Sequence, residues 1–275
     1  MPTPSPQPQP ASFGIRLASG IAIIIITALF AYLGGWAFTA FVAVMIAATL
    51  FELCHLLELA GTRVSRSAAF GAAAAAFAGI RWSSWPVLVP AISVALLVTL
   101  AWQLQQSHVK RFGDWASSFA GGLYIGWTGG HLAQLREVPN GLAWVALAFV
   151  TVWLADSGAY MVGQLFGRHK LAPRLSPSKT WEGYAGGIMT STIGGVVVGF
   201  VSPIGAMVGG IAGALVGCLC LFGDLIESML KREAHVKDSG HLIPGHGGVF
   251  DRIDSLLWSA VIVFYVNAII FSRMA

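Results

Sequence analysis

The stretch GLAWVALAFVTVWLADSGAYMVGQLF, residues 141–166, decides the fold of this protein. It is predominantly apolar with a single acid, Asp156, and about 20 apolar residues suffice for an α-helix to cross a bilayer. The rest of the chain is similar, because 56% of its 275 residues are hydrophobic, 10% are charged, and the mean hydropathy is +0.74. We therefore expect an all-α integral membrane protein.

Apolar runs bounded by charges, glycine or proline predict a polytopic bundle of about nine transmembrane helices. The expected helices are 16–33, 36–59, 67–81, 85–103, 115–134, 141–166, 183–201, 203–223 and 254–273. Residues 1–15 are rich in proline and polar side chains, which predicts a disordered cytoplasmic tail. Residues 16–275 then form a single polytopic membrane domain.

The basic residues divide unequally between the two sides of this bundle. With nine spans, 13 of the 16 Lys and Arg residues lie on the side of the N-terminus, and only Arg81, Arg136 and Arg273 lie on the other. The positive-inside rule assigns the basic side to the cytoplasm. Because so apolar a chain leaves little surface for a basic groove, nucleic acid is not an expected partner.

Small residues recur every four positions in two of the predicted helices. The two stripes are Gly183, Gly187, Ser191, Gly195 and Gly199, and Gly209, Gly213 and Gly217. Such stripes let helices approach closely in lipid. We assign them, and the run GAAAAAFAG at 71–79, a packing role and no chemical one.

Charge is concentrated near the C-terminus, where residues 224–254 hold ten of the 28 charged side chains. In GDLIESMLKR, the spacing i, i+3, i+4, i+7 predicts that four polar residues share one helix face. These are Asp224, Glu227, Ser228 and Lys231. In DRID, Asp251 and Asp254 are three apart and can also point the same way.

The loop between these two segments must return to the same membrane surface, so their carboxylates can face each other. Several carboxylates beside lysine and arginine suit a hard cation such as Mg²⁺, which in turn holds phosphate. The plainer alternative is a solvated loop that keeps charges out of lipid. The doubled acid spacing and the glycines of PGHGG, residues 244–248, favour a binding site.

A second polar group follows the sixth predicted helix. Asp156 lies inside the apolar span, where an ionisable side chain predicts a functional or paired role. The segment SPSKTWEG, residues 176–183, predicts a turn at Pro177 and then a helix capped by Ser178 or Thr180. A helix N-terminus beside Lys179 is a suitable phosphate site, with Arg168, Lys170 and Arg174 nearby.

Other sequence patterns give less information about function. The chain has no GxxxxGK[ST] loop, no GxSxG elbow and no HExxH pair, which removes the usual support for P-loop, serine-hydrolase and zincin chemistry. The segment ELCHLLE offers Glu52, His55 and Glu58, but its spacing spreads them around a helix. We interpret these three as capping or interfacial residues.

The run SMLKREAHVKDSGHLIPGHGGVFDRID, residues 228–254, resembles the signature of the phosphatidate cytidylyltransferases, or CDP-diacylglycerol synthases. The shared features are a serine, a Lys-Arg pair, Lys-Asp, HGG and DRxD. The segments DSGAY, FGRHKL and SPSKTWEG also resemble family segments in the same order, which places the catalytic half at about 141–275. Ser239 stands where many relatives carry an aromatic residue, and we expect this to affect packing without touching the acids.

The resemblance implies transfer of a cytidylyl group from CTP to phosphatidate, giving CDP-diacylglycerol and pyrophosphate, with Mg²⁺ as cofactor. It implies Asp224, Asp251 and Asp254 as metal ligands and catalytic residues, and Lys237 as a further catalytic residue. Substrate-binding residues would be Lys179, Ser228, Lys231, Arg232, His246, Gly247, Gly248 and Arg252. Asp156, Glu227 and Asp238 would support the site.

The implied partners are CTP, phosphatidate in the membrane leaflet and a second copy in a homodimer. The implied location is a bacterial cytoplasmic membrane, with a multi-pass chain whose active site faces the cytoplasm. Two alternatives remain open: a CTP-dependent kinase of a membrane lipid alcohol, and a cation transporter that uses Asp156 and the aspartates as a conduction path.

Overall fold

A computed structural model describes residues 13–82, 85–105 and 112–272 of the chain. Ten helices and one small hairpin make up this part. The helices are α1 (Phe13–Leu33), α2 (Gly35–Leu59), α3 (Arg66–Arg81), α4 (Trp85–Gln105), α5 (Phe112–Leu135), α6 (Gly141–Phe166), α7 (Trp181–Val201), α8 (Ala206–Leu219), α9 (Leu221–Glu233) and α10 (Phe250–Ser272). The hairpin pairs β1 (Lys170–Ala172) with β2 (Ser176–Thr180).

The protein is an all-α membrane protein with very little sheet. Six of its described helical segments are long and apolar enough to cross a membrane. They are Gly35–Leu59, Val87–Gln105, Gly141–Phe166, Trp181–Val201, Ala206–Glu233 and Phe250–Ile270, and Leu17–Leu33 is a shorter apolar helix. Because α1, α3 and α5 are not among these six segments, the predicted count of nine crossings is not confirmed.

Contacts at the two ends of the bundle show how the helices alternate in direction. At one end, Ser19 of α1 hydrogen-bonds His246, at 2.8 Å, in the segment between α9 and α10. At the other end, Arg136 donates to the carbonyl of Ala31 at 2.6 Å, and Arg81 pairs with Glu137 at 3.2 Å. The polar segments between α6 and α7 and between α9 and α10 both lie at the first end.

The predicted packing role of the small residues is confirmed. A Cβ on Gly195 would overlap the backbone of Gly209, so α7 and α8 meet almost backbone to backbone. Ser191 joins them by donating to the carbonyl of Gly213 at 2.7 Å. The alanine-rich α3 packs in the same manner against glycines of α5, where a Cβ on Gly122 would meet the backbone of Ala69.

Two predicted elements differ in the structure. The eighth predicted helix, 203–223, is divided at Cys220 into α8 and α9, and α9 continues to Glu233, beyond the predicted end. The polar face that the periodicity predicted lies on α9. The predicted turn at Pro177 is a strand residue instead. Proline lacks an N–H but is tolerated in a two-stranded hairpin, where both strands are edges.

The predicted tail at residues 1–15 falls mostly outside the described residues. Its last three residues belong to α1, which begins at Phe13 rather than at residue 16. The expectation of a disordered tail at 1–12 stays a prediction.

Candidate active site

The acidic face of α9 packs directly against the start of α10. Gly223 makes this possible, because a Cβ there would overlap the carbonyl of Asp254. Asp224, Glu227 and Asp254 each offer a carboxylate oxygen within 4.8 Å of the others. Ser228 lies beside them and donates to Asp224 Oδ1 at 3.2 Å. The two acid-bearing segments therefore meet, as predicted.

Lys231 connects this acidic cluster to Asp251. Its ammonium lies 2.9 Å from Glu227 Oε2 and 2.7 Å from Asp251 Oδ1. The other oxygen of Asp251 accepts from the backbone N–H and the hydroxyl of Ser239, both at 2.9 Å, and from Gly248 N–H at 2.8 Å. Asp251 is thus surrounded by donors and lies outside the group of three acids. The sequence spacing did not distinguish Asp251 from Asp254 in this respect.

The cluster of three acids has the chemistry of a divalent-cation site. Glu227 and Asp254 are only 2% and 8% exposed, and Glu227 Oε1 is buried with no hydrogen-bond partner among the described residues. An uncompensated buried carboxylate oxygen is costly, whereas hard cations take carboxylate oxygens as ligands. Asp224, Glu227 and Asp254 therefore fit Mg²⁺.

A cavity of about 390 Å³ adjoins the cluster between α6, α7 and α9. Lys179 and Asp224 line it and form an ion pair at 2.5 Å. Asp156 lines the same cavity, near Lys179 and Asp224, and its predicted functional or paired role stays a prediction. Ala159, Gly163 and Leu171 make other parts of the wall apolar.

The start of α7 positions Lys179. Thr180, not Ser178, caps the helix, accepting from Gly183 N–H at 3.1 Å. Glu182 in the first turn accepts from the backbone N–H groups of Arg168 and His169 at 3.1 and 3.2 Å. The hairpin is thereby attached to α7, and Lys179, just before the helix, lies in the wall of the cavity.

Residues 234–249 fold back on the start of α10. Ile243 and Gly247 form an isolated antiparallel bridge, and Gly247 has a positive φ of 79°, which favours glycine. Arg252 donates to the carbonyl of His246 at 3.0 Å. The predicted nucleotide-binding residues His246, Gly247 and Gly248 therefore form one turn beside Asp251.

Three predicted cations and one acid lie on the surface of this end rather than in the acidic cluster. Arg232 donates to the carbonyl of Leu175 and ties α9 to the hairpin, at 3.2 Å. Lys237, Asp238 and Arg252 are exposed. Their positions leave them accessible to a ligand at this end of the bundle.

Two residues that the sequence analysis did not place in the site contact it directly. Glu52 of α2 is 6% exposed and accepts from Ser239, Val249 and Phe250. Ser239 also donates to Asp251, so the expectation that this position leaves the acids untouched is wrong. Glu52 does cap a helix, but that helix is α10, nearly 200 residues away in sequence.

Comparison with known proteins gives a consistent family. The model of the cytidylyltransferase family matches residues 14–270. The chain is 33% identical to a phosphatidate cytidylyltransferase of Brucella suis over 260 residues, covering 92% of this chain and 93% of the relative.

Other relatives with the same name match shorter parts. A Synechocystis protein is 45% identical over 135 residues, covering 48% of this chain and 46% of its own length. A Bacillus subtilis protein is 34% identical over 178 residues, covering 64% and 66%. With the near full-length matches, these findings show that the chain belongs to the cytidylyltransferase family.

Proposed function

We propose that this protein transfers the cytidylyl group of CTP to phosphatidate, giving CDP-diacylglycerol and pyrophosphate. The observation that carries the proposal is the meeting of three carboxylates with Lys179 and Lys231 beside a partly apolar cavity. Such a site can bind an anionic nucleotide and an anionic lipid headgroup side by side. The names of the relatives support the same reaction.

The reaction requires two anions to be held together. An ionised phosphate oxygen of the lipid attacks the α-phosphorus of CTP, and the bond from that phosphorus to the bridging oxygen of the β-phosphate breaks. Since the attacking oxygen carries no proton near neutral pH, no strong general base is needed. Catalysis then depends on positioning and charge compensation, which Lys179 can supply at the cavity and exposed Lys237 and Arg252 at the loop.

Asp224, Glu227 and Asp254 would hold Mg²⁺ in this proposal. The ion would supply positive charge to the triphosphate and to the pyrophosphate that leaves. The metal-ligand role of Asp251 stays a prediction. In the structure its carboxylate instead accepts from Lys231, Ser239 and Gly248. In this arrangement Asp251 orients Lys231 and the loop beside the cluster.

The lining of the cavity matches a lipid substrate that has both a charged headgroup and apolar chains. Its polar residues, Asp156, Lys179 and Asp224, lie beside apolar wall residues such as Leu171 and Ala159. A phosphate headgroup could reach Lys179 while the glycerol and the first acyl carbons contact the apolar wall. Ser228 would orient Asp224 through its hydrogen bond, and Asp156 would place a further carboxylate in the cavity that Lys179 lines.

We also propose nine crossings, with α8 and α9 together forming one, in a bacterial cytoplasmic membrane. The alternating end contacts support this arrangement, and the excess of basic residues at the site end supports a cytoplasmic active site. CTP is found in the cytoplasm, so an active site that faces the cytoplasm can reach its nucleotide substrate. A homodimer remains an expectation from the family resemblance.

A label on the α-phosphate of CTP tests the reaction. The purified protein is incubated with phosphatidate, Mg²⁺ and the labelled nucleotide, and lipid and water-soluble products are separated. Label in the lipid fraction is the expected result. Label that stays in CDP would support the lipid kinase, and ion flux without nucleotide would support the transporter.

Asp251→Asn tests the importance of this carboxylate. The variant should lose at least 100-fold in turnover, because its amide would place a donor against Lys231 or the Ser239 and Gly248 donors. Membrane insertion, measured by extraction and gel filtration, should be unchanged. Full activity of the variant would remove Asp251 from the mechanism.

A further inference from the structure

We propose that Glu52, in the N-terminal half of the chain, is a positioning residue of the active site. Its carboxylate holds the backbone of Val249 and Phe250, directly after the turn at Gly247 and Gly248, and contacts Asp251 through Ser239. The role in turnover rests on the proposed function, whereas the role in holding the turn stands on the contacts alone.

The carboxylate of Glu52 replaces the missing hydrogen-bond acceptors at the start of α10. Oε1 accepts from Val249 N–H at 2.9 Å, and Oε2 accepts from Phe250 N–H at 2.8 Å. The first N–H groups of a helix have no partner within the helix, and negative charge is favourable there. Glu52 therefore fixes where α10 begins and hence where Asp251 and Asp254 project.

Ser239 extends this arrangement to Asp251. Its hydroxyl lies 3.1 Å from Glu52 Oε2 and 2.9 Å from Asp251 Oδ2. A hydroxyl has one proton and can donate fully to only one of these carboxylates at a time. The position of Asp251, and of Lys231 paired with it, is thus connected to Glu52 through a single side chain.

Two glycines show that the loop is built around this carboxylate. A Cβ on Gly240 would lie 2.6 Å from Glu52 Oε1, and a Cβ on Gly248 would overlap both Glu52 Oε2 and Ser239 Oγ. The loop backbone thus approaches Glu52 more closely than other residues would allow. Gly248 donates to Asp251 at 2.8 Å and the next residue, Val249, donates to Glu52, so adjacent backbone N–H groups bind the two acids.

A purely structural link between α2 and α10 would not need a carboxylate. Burying a charge is costly unless hydrogen bonds compensate for it, and apolar side chains of similar volume often join buried elements at least as stably. Glu52 is 6% exposed and uses three donors that all belong to the site loop or to the start of α10. A change at Glu52 would therefore alter the geometry of the site loop and of the start of α10.

Glu52→Gln is the first test variant. In either orientation of the amide, its NH₂ group would oppose the N–H of Val249 or of Phe250, so one of these hydrogen bonds must be lost. The matched control is Glu58→Gln on the same helix, where Glu58 makes an exposed ion pair with Arg66. Ser239→Ala is a milder variant, which removes only the shared hydroxyl.

Amide hydrogen exchange of the purified full-length variants measures the positioning directly. Peptides covering 239–250 should exchange at least about tenfold faster in Glu52→Gln, while peptides of α6 and α7 keep their rates. Glu58→Gln should match the wild-type protein. Unchanged exchange of 239–250 in Glu52→Gln would overturn the proposal whether or not the protein has the proposed activity.

Kinetics measure the consequence for turnover. At a temperature where all variants are folded, kcat should fall about 10- to 100-fold in Glu52→Gln, the range found for residues that orient ligands. The KM for CTP should change less than about threefold, because the exposed cations are untouched. A kcat equal to that of Glu58→Gln would overturn the role in turnover.

A combined variant separates positioning from simple destabilisation. If Glu52 acts through Ser239, adding Ser239→Ala to Glu52→Gln should lower kcat by no more than about threefold beyond the worse single variant. Independent, multiplicative losses would contradict the link. A wild-type protein that forms no CDP-diacylglycerol would refute the proposed function, and the exchange measurement would still decide the positioning.

Discussion

At the scale of single residues, the acids of the site differ in how many hydrogen-bond donors contact them. The four acids are Asp224, Glu227, Asp251 and Asp254. Asp251 receives Lys231 and three donors from Ser239 and Gly248, while Glu227 keeps one buried oxygen without a partner among the described residues. Two carboxylates on different helices, both paired with Lys231, thus have different roles. Asp251 organises neighbours, and Glu227 is available to a cation.

Glu227→Gln should weaken the response to Mg²⁺. The amide cannot offer two anionic oxygens, so the Mg²⁺ concentration for half-maximal rate should rise about tenfold or more at saturating CTP. The control is Glu233→Gln, an exposed acid on the same helix. A Mg²⁺ titration of the rate makes the measurement, and identical curves for the two variants would exclude Glu227 as a ligand.

At the scale of elements, glycines determine which helices touch and therefore where the cavity lies. Gly183 approaches the backbone of α6 near Ala159, and Gly209 approaches the backbone of α7 near Gly195. The first contact lies at the end that contains the cavity, and the second lies at the opposite end. Close packing at both positions sets the position of α7 between α6 and α8.

Gly209→Ala should destabilise the α7–α8 pair. The added Cβ would lie 2.9 Å from Gly199 Cα and would overlap Gly195, so about 1–3 kcal/mol of stability should be lost. Gly113→Ala in α5 is the control, because nothing lies within 4 Å of its added Cβ. Thermal unfolding in detergent compares the two, and an equal melting temperature would contradict the packing role.

The cap of α7 gives a second prediction at this scale. Thr180→Val keeps the shape of the side chain but removes the acceptor for Gly183 N–H, which should cost about 1 kcal/mol. Ser178→Val changes an exposed position of the same strand and should leave stability unchanged. Chemical unfolding measures both, and an equal loss in the two variants would argue against Thr180 as the cap.

At the scale of the whole molecule, the helices bring the hairpin, the end of α9 and the start of α10 to one end of the bundle. The hairpin follows α6, the acid-bearing α9 ends there, and α10 begins there. The opposite end contains the turn between α7 and α8 at Pro203. This separation makes the orientation in the membrane testable without any measurement of activity.

Single cysteines at the two ends should react from opposite sides of the membrane. In a variant whose three native cysteines are replaced by alanine, His241→Cys should be labelled by an impermeant maleimide only from the cytoplasm. Pro203→Cys should be labelled only from the outside. Both native positions are exposed, and labelling of both from the same side would refute the crossing by α8 and α9.

Local patterns in the sequence were enough to predict much of this protein. Apolar length predicted the membrane fold, a four-residue repeat predicted the glycine contacts, and the i, i+3, i+4, i+7 spacing predicted the polar face of α9. These features depend on residues within a few turns of each other. Helical geometry alone therefore relates them.

The tertiary structure decided which acids form the cluster and which residue from the N-terminal half joins the site. Glu227 rather than Asp251 completes the group with Asp224 and Asp254, and Glu52 reaches Val249 across 197 positions of sequence. No periodicity relates positions so far apart. Their proximity depends on helix packing in three dimensions, where the burial of a carboxylate must be balanced by donors from another part of the chain.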